Sequence, residues 1–169
     1  MPRVSNPAGN RLLQRLLKIA VVINNHRIIP AEFPADPSVE LGPVIRKEEA
    51  AVVTAQIQKT LDQGGTLVCG GNRTGAFVAP TVILTPKTAD IAKDMEVFGP
   101  VFPLIPLETE QEAVEINDQT CYGLSSGVMT ADVGKAVRTA KQLQAGACIL
   151  GGSGNYRLAH QPFGGYKLS

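Results

Sequence analysis

The most regular pattern of hydrophobic and polar positions follows Val44 and predicts an amphipathic helix. Four apolar residues recur every three or four positions, the spacing that places them on one helical face: Ala50, Val53, Ile57 and Leu61. The pair Gly64-Gly65 predicts the end of this helix, because glycine readily takes the left-handed conformation found there. A short strand, Thr66-Leu67-Val68-Cys69, is expected next.

A second series of strands and helices begins at Val101-Phe102-Pro103-Leu104-Ile105, whose apolar character predicts a buried strand. Thr109 and Glu112 have the spacing of a capping box, in which each side chain accepts a hydrogen bond from the other residue's amide. Asp132 predicts the N-cap of a further helix. The expected apolar stripe of that helix is Val133, Ala136, Val137, Ala140 and Leu143. Strands that alternate with helices predict an α/β fold with a mostly parallel sheet flanked by helices.

Composition limits the function classes open to the chain. The 169 residues carry a formal net charge of +1, so electrostatic attraction gives no reason to expect a nucleic-acid or membrane partner. The apolar run at residues 19–23 is far shorter than the ~20 residues that a membrane-spanning helix needs. The three cysteines lack a C-x-x-C pair, match no zinc framework and cannot all pair with one another, which favours a reducing cytoplasm.

Several short phrases occur in an order typical of one enzyme family. They are Asp36-Pro37-Ser38 with Leu41-Gly42-Pro43, Gly70-Gly71 with Pro80-Thr81-Val82, Glu96-Val97-Phe98-Gly99-Pro100-Val101, Tyr122-Gly123-Leu124 with Val128-Met129-Thr130, and Pro162-Phe163-Gly164-Gly165-Tyr166-Lys167. Together they resemble the aldehyde dehydrogenase superfamily, whose motifs include E-I-F-G-P-V and P-F-G-G-x-K. The resemblance covers residues 36–169 and implies a partial catalytic domain, its carboxy-terminal part. Residues 1–35 carry no recognised motif.

The resemblance implies roles for four residues in the oxidation of an aldehyde to a carboxylic acid with NAD or NADP. Glu96 matches the glutamate that accepts hydrogen bonds from the nicotinamide ribose hydroxyls, and Phe98 matches the phenylalanine near the nicotinamide. Phe163 matches a phenylalanine at the aldehyde pocket, and Tyr156 lies in the loop that shapes access to that pocket. Without the motifs, Glu96 resembles a solvated loop carboxylate and Phe163 a core aromatic at a tight turn.

The family's catalytic groups have no counterpart in this sequence, so no catalytic residue is assigned. The reaction needs a thiolate to attack the carbonyl and a base to activate water, yet neither the G-Q-x-C nor the E-L-G-G-K pattern occurs. Cys69 and Cys148 lie in apolar strands, where a thiol is usually inert, and Cys121 lies in a turn with no base nearby in sequence. We therefore expect a chain that is inactive alone and binds the dinucleotide weakly.

Three hypotheses for function stay open at this point. The chain is a remnant of an NAD(P)-dependent aldehyde dehydrogenase, a non-catalytic module that binds a protein, or one half of a split enzyme. The expected partners are accordingly a completing dehydrogenase chain or a second copy of this chain.

Overall fold

The computed structural model describes residues 41–154 and 158–169, so the Asp36-Pro37-Ser38 phrase and Tyr156 lie outside the described residues. The described chain forms two compact units, residues 41–91 with 96–105 and residues 92–95 with 106–154 and 158–169. The helices are α1 (Lys47–Asp62), α2 (Glu110–Asp118) and α3 (Val133–Ala140), with a 3-10 helix at Asp90–Ala92. The strands are β1 (Thr66–Cys69), β2 (Arg73–Thr74), β3 (Phe77–Val78), β4 (Thr81–Leu84), β5 (Val101–Leu104), β6 (Tyr122–Gly123), β7 (Ser125–Val128), β8 (Ala147–Leu150) and β9 (Tyr166–Lys167). None of the described helices is long and apolar enough to cross a membrane.

Helix α1 closes the core of the first unit with the face that its sequence predicts. Ala50, Val53 and Ile57 are buried and pack with Val78 of β3 and Ile83 of β4. Burying a valine or isoleucine side chain of this kind contributes about 1.5–3 kcal/mol. The predicted amphipathic helix is therefore confirmed, and its apolar stripe forms part of the core of the first unit.

The two glycines after α1 end the helix as predicted. Gly64 has a φ of 95° and its amide donates to the carbonyl of Leu61, while the amide of Gly65 donates to the carbonyl of Thr60, both at 3.0 Å. A Cβ atom at Gly65 would lie only 2.7 Å from the Thr60 carbonyl oxygen. A side chain at that position would therefore displace the turn that leads into β1.

The sheet of the first unit has the strand order β1-β4-β5 and is mixed. β1 pairs with β4 antiparallel, because the connection between them holds only the short hairpin β2–β3 and no crossover helix. β5 pairs with β4 parallel, in the register Thr81↔Val101 to Leu84↔Leu104, after the longer connection through residues 85–100. The expected parallel pairing thus holds for β4 and β5, while β1 adds an antiparallel edge.

The prediction that the Val101–Ile105 segment is a buried strand is wrong. The Phe102 side chain is 49% exposed, Pro103 is exposed, and Val101 and Leu104 are only half-buried. β5 has a single neighbour in the described sheet, whereas β4 lies between two strands and its residue Ile83 is fully buried. The apolar run alone does not reveal how many neighbours a strand has.

The second unit contains the predicted βαβ arrangement. β7 and β8 pair parallel in the register Ser125↔Ala147 to Val128↔Leu150, and α3 connects them. Asp132 caps α3 as predicted, since its Oδ1 accepts a hydrogen bond from the amide of Lys135 at 2.9 Å. β6 and β9 form a separate antiparallel pair that joins the carboxy-terminal segment to this unit.

The capping box at the start of α2 is confirmed in its first half. Thr109 Oγ1 accepts a hydrogen bond from the Glu112 amide at 3.1 Å. Glu112 Oε2 accepts from the amide of Glu108 at 2.8 Å, one residue before the predicted donor. Both exposed amides at this helix start are therefore satisfied by side chains, which is the physical purpose of the box.

The predicted apolar stripe of α3 is only partly buried. Ala136 and Thr139 are buried, while the side chains of Val133 and Val137 are 73% and 37% exposed. α3 contacts β7 and β8, and positions 136 and 139 are three residues apart on the face towards them. The buried face of α3 therefore consists of Ala136 and Thr139, and Val133 and Val137 lie beside this face.

We expect Ile83→Ala to lower the free energy of unfolding by about 2–5 kcal/mol, because it leaves a cavity in the middle of β4. The matched control is Ile45→Ala, since the Ile45 side chain is 91% exposed and its loss should change stability by no more than ~0.5 kcal/mol. Denaturant unfolding followed by circular dichroism measures both. Equal effects of the two substitutions would contradict a core centred on β4.

Candidate cofactor-binding site

The Glu96-Val97-Phe98-Gly99-Pro100 loop precedes β5 and is attached to α1 and β4. Gln56 Nε2 donates to the backbone carbonyl of Glu96 at 2.9 Å. A Cβ atom at Gly99 would lie 2.9 Å from both Cγ atoms of Val53, so the loop approaches α1 as closely as glycine permits. The carbonyl of Pro100 accepts a hydrogen bond from the amide of Thr81 at 2.8 Å. The loop backbone is therefore held on two sides.

Alternate side chains of this loop face opposite directions. Val97 is half-buried and packs against the core cluster around α1. Glu96 and Phe98, its neighbours on either side, are exposed, and the Phe98 side chain is 75% exposed. These two predicted site residues are therefore both exposed, two positions apart on the same loop.

The carboxylate of Glu96 is exposed on this loop. Within residues 41–154 and 158–169, its carboxylate makes no hydrogen bond or ion pair. An ionised carboxylate offers two oxygens to paired donors such as the two hydroxyls of a ribose. An exposed aromatic ring two residues away supplies an apolar surface. A carboxylate and an aromatic ring are the kinds of group that hold the ribose and the ring of a nucleotide.

The loop that carries Phe163 is fixed by backbone contacts and by a lysine. A Cβ atom at Gly146 would lie only 1.9 Å from the Gly164 carbonyl oxygen, so backbone meets backbone at this point. Lys167 Nζ donates to the carbonyls of Asp118 at 2.7 Å and of Thr120 at 2.9 Å. Phe163 itself is 74% exposed. It therefore lies at the surface of the second unit and is not the core aromatic that a tight turn alone suggests.

The sequence-predicted site residues are distributed over both units. Glu96 and Phe98 belong to the first unit and Phe163 to the second, while Tyr156 lies outside the described residues. Sequence reasoning assigned no role to Gln56, although it holds the Glu96 backbone. It also gave no role to Lys167, which the P-F-G-G-x-K phrase contains. Only the phrase itself could have indicated Lys167, and no local signal indicates Gln56.

The environment of Cys121 does not favour a thiolate. Burial raises the pKa of the Cys121 thiol, and a hydrogen bond to Asp94 with the negative charge of that carboxylate raises the pKa further. A nucleophilic cysteine needs the opposite, a partner that lowers its pKa. Cys69 and Cys148 are free and half-buried. The hydrogen bond and the charge of Asp94 therefore work against a role of Cys121 as nucleophile.

Asp94 is a structural carboxylate that sequence reasoning missed. Its Oδ1 accepts hydrogen bonds from the Cys121 amide at 2.6 Å and from Thr120 Oγ1 at 3.1 Å. The hydrogen bonds from the backbone amide and the side chain of Cys121 hold the pKa of the Asp94 carboxyl below its ordinary value. Thr120 and Cys121 are 26 and 27 residues away in sequence, so no local pattern predicts them.

A groove of about 370 Å³ in the second unit is lined by the starts of α2 and α3 and the end of β7. Its main carboxylate, Glu110, accepts a hydrogen bond from Thr139 Oγ1, and Glu110 Oε2 lies 3.4 Å from Lys135 Nζ. The Thr139 hydroxyl and the Lys135 ammonium lower the pKa of Glu110. These three polar groups therefore pair with one another along the groove. No set of three potential metal ligands occurs in the described part of the chain.

Comparison with known proteins agrees with the motif loops and the fold. The sequence model of the aldehyde dehydrogenase family matches residues 18–169. The chain is 42% identical over 139 residues to betaine aldehyde dehydrogenase of Cereibacter sphaeroides, which covers 80% of this chain and 29% of that protein. The family match includes residues 18–35, in which no motif was recognised, and the division of the chain at residue 35 stays a prediction.

Two solved structures show the same fold with bound dinucleotide. Glyceraldehyde-3-phosphate dehydrogenase from Methanocaldococcus jannaschii, complexed with NADP, matches with a TM-score of 0.81 and 30% identity over 91% of this chain and 33% of that chain. A double mutant of betaine aldehyde dehydrogenase from Staphylococcus aureus, in complex with NAD+, matches with a TM-score of 0.82 and 30% identity over 94% of this chain and 32% of that chain.

The α/β architecture and its motif loops define a partial dehydrogenase domain. The chain belongs to the aldehyde dehydrogenase family. It spans about 29% of the length of the curated relatives that it matches. The recognised family and the partial α/β fold are thus confirmed.

We expect Asp94→Asn to increase the rate at which Cys121 is alkylated at neutral pH several-fold. Removing the carboxylate charge lowers the pKa of the Cys121 thiol. The side-chain oxygen of asparagine still accepts the hydrogen bond from the Cys121 backbone amide. Mass spectrometry of the iodoacetamide-treated chain measures the rate at each cysteine. Asp118→Asn is the control, and an unchanged Cys121 rate in Asp94→Asn would contradict a thiol pKa raised by Asp94.

Asp94 should also make stability depend on pH. Its folded-state pKa is lowered, so its contribution is present above the ordinary aspartate pKa of about 3.9 and is lost as the pH falls through the lower folded value. Unfolding midpoints of wild type and Asp94→Asn should therefore converge as the medium is acidified through this window. A constant difference between the two proteins across the same pH range would refute this linkage.

Proposed function

We propose that this chain supplies the nicotinamide-facing and aldehyde-facing loops of an NAD(P)-dependent aldehyde dehydrogenase, which oxidises an aldehyde to a carboxylic acid. The observation that carries the proposal is the fixed loop on which Glu96 and Phe98 are both exposed, two positions apart. Relatives of the family bind NADP or NAD+ in solved structures, which supports the cofactor class.

In this proposal Glu96 binds the cofactor and Phe98 orients it. The Glu96 carboxylate accepts hydrogen bonds from the two ribose hydroxyls next to the nicotinamide. The exposed Phe98 ring gives the nicotinamide an apolar contact and excludes water from its side. A nicotinamide held by Glu96 and Phe98 would supply the hydride acceptor that the oxidation of an aldehyde requires. Positioning of this kind lowers the barrier, because the reacting groups are held in place before the reaction.

The aldehyde pocket is proposed to include Phe163 and Tyr156. Phe163 is an exposed ring on a loop whose backbone is fixed at Gly146 and by Lys167. A fixed, exposed aromatic ring suits contact with the carbon chain of a substrate. The matched relatives act on different aldehydes by name, betaine aldehyde and lactaldehyde among them, so the proposal extends to the aldehyde class only.

The nucleophilic thiolate is proposed to come from the rest of a dehydrogenase. The chain spans about 29% of the length of its curated relatives, and the raised pKa of Cys121 does not suit nucleophilic attack. Isolated, the chain is proposed to be inactive and to bind the dinucleotide weakly. Its partner is a polypeptide that carries the remaining segments of the catalytic domain.

Self-association as a non-catalytic module is a second candidate. The second unit exposes the apolar side chains of Met129, Val133 and Val137, at 78%, 73% and 37%. Exposed apolar side chains of this kind favour contact with another protein surface. Association that does not require the remaining dehydrogenase segments would distinguish this function from the first.

The test measures NAD(P)H formation by the purified chain with a panel of small aldehydes. The same assay follows a mixture with Cereibacter betaine aldehyde dehydrogenase that lacks the matched segment. We expect no turnover by the chain alone and thiol-sensitive turnover in the mixture. Glu96→Gln should raise the KM for the dinucleotide about 10-fold or more, as expected for a weakened charge-assisted hydrogen bond.

Glu115→Gln provides the matched control, since Glu115 is an exposed carboxylate of α2 that accepts a bond from Gln111. An equal effect of both substitutions on KM would refute the ribose role of Glu96. Thiol-sensitive turnover by the chain alone would overturn the proposal that the nucleophile lies elsewhere.

A further inference from the structure

Gln56 makes an unusual long-range contact with the loop of the candidate site. Its Nε2 donates at 2.9 Å to the carbonyl of Glu96, which lies 40 residues further along the chain. A carbonyl only accepts hydrogen bonds, so the nitrogen of the Gln56 amide has to face it. The bond therefore fixes the side-chain orientation of Gln56 as well as the backbone at Glu96.

The other attachments of the loop lie further from Glu96. Gly99 packs against Val53, and the Pro100 carbonyl accepts from the Thr81 amide. Val97 anchors the backbone by packing against the core. The bond from Gln56 is the side-chain contact made at Glu96 itself. A shift of this carbonyl would move the Glu96 Cα and its carboxylate together.

The environment of the Gln56 side-chain oxygen indicates that this residue has a role other than packing. Its Oε1 is buried and has no hydrogen-bond partner among the described residues. A buried acceptor without a donor is unfavourable, so leucine, an apolar residue of similar length, would suit a purely structural role better. The bond to Glu96 is the feature that explains an amide at this position of α1.

We propose that Gln56 is a positioning residue that sets the location of the Glu96 carboxylate for the ribose of the nicotinamide nucleotide. This rests on the proposed function, in which Glu96 receives the ribose hydroxyls. Gln56 touches neither cofactor nor substrate and acts through the loop backbone. Because α1 also forms the core, the position of the helix is transmitted to the Glu96 backbone through the Gln56 side chain, in addition to the contact of Val53 with Gly99.

The test uses Gln56→Glu and Gln56→Leu in the full chain, with Gln58→Glu and Gln58→Leu as matched controls. Gln58 lies on the same helix and donates only to the exposed Asp62 carboxylate at 2.8 Å. The first readout is amide hydrogen exchange at residues 97–99 without nucleotide. We expect exchange there to rise several-fold in both Gln56 variants and to stay unchanged in both controls. The unfolding midpoint shows whether a variant is destabilised throughout.

The second readout is the dissociation constant of nicotinamide mononucleotide, measured from chemical shifts of the same amides. Both Gln56 variants should weaken binding about 2- to 10-fold, the effect of losing one neutral hydrogen bond. Glu96→Gln, measured in parallel, should weaken it more, because the group that it alters contacts the ribose directly.

Each outcome decides a separate statement. Unchanged exchange at residues 97–99 in both Gln56 variants overturns the positioning role. Raised exchange with unchanged affinity, while Glu96→Gln weakens binding, also overturns it. If the wild-type chain shows no mononucleotide shifts, or Glu96→Gln leaves affinity unchanged, the proposed function fails and the positioning role fails with it. The proposal is supported if both Gln56 variants show raised exchange and weaker binding of the mononucleotide while both Gln58 variants behave as the wild type.

Discussion

The packing of α1 against β3 and β4 is the contact on which the rest of the first unit depends. Val53 is 2% exposed within that core, and its Cγ atoms also leave no room for a Cβ atom at Gly99. One helix face therefore closes the core, and its neighbouring residue Gln56 holds the loop at Glu96. Stability and site geometry are coupled in this way, because a displacement of α1 would disturb the core and would also shift the Glu96 loop.

The features that could be predicted from the sequence are local, whereas the features that could not are contacts between residues far apart in sequence. The carboxy-terminal end of α1 and the Asp132 cap of α3 follow from residues within one helical turn, and the structure has both. The bond from Gln56 to Glu96 spans 40 residues and that from Cys121 to Asp94 spans 27, so no spacing pattern predicts them. Exposure of Phe102 likewise depends on the neighbours of β5 and not on its own apolar residues.

The carboxylates of the chain separate into structural and available groups. Asp94 holds the turn at Cys121, and Glu110 accepts from Thr139 beside Lys135; these partners lower the pKa of each carboxyl. A carboxylate held in this way has little capacity left for a ligand. Glu96 is exposed and makes no such bond within the described residues. Glu48 and Glu108 are also exposed without such a bond, so it is the motif resemblance that singles out Glu96.

The loop of Glu96 and Phe98 and the loop of Phe163 are both held by hydrogen bonds to backbone carbonyls, and this leaves their motif side chains exposed. Gln56 holds one loop and Lys167 the other, each by donating to backbone carbonyls. Attachment through the backbone leaves Phe98 and Phe163 at 75% and 74% exposure. Two exposed rings are unfavourable in water, and their burial needs further protein or ligand surface.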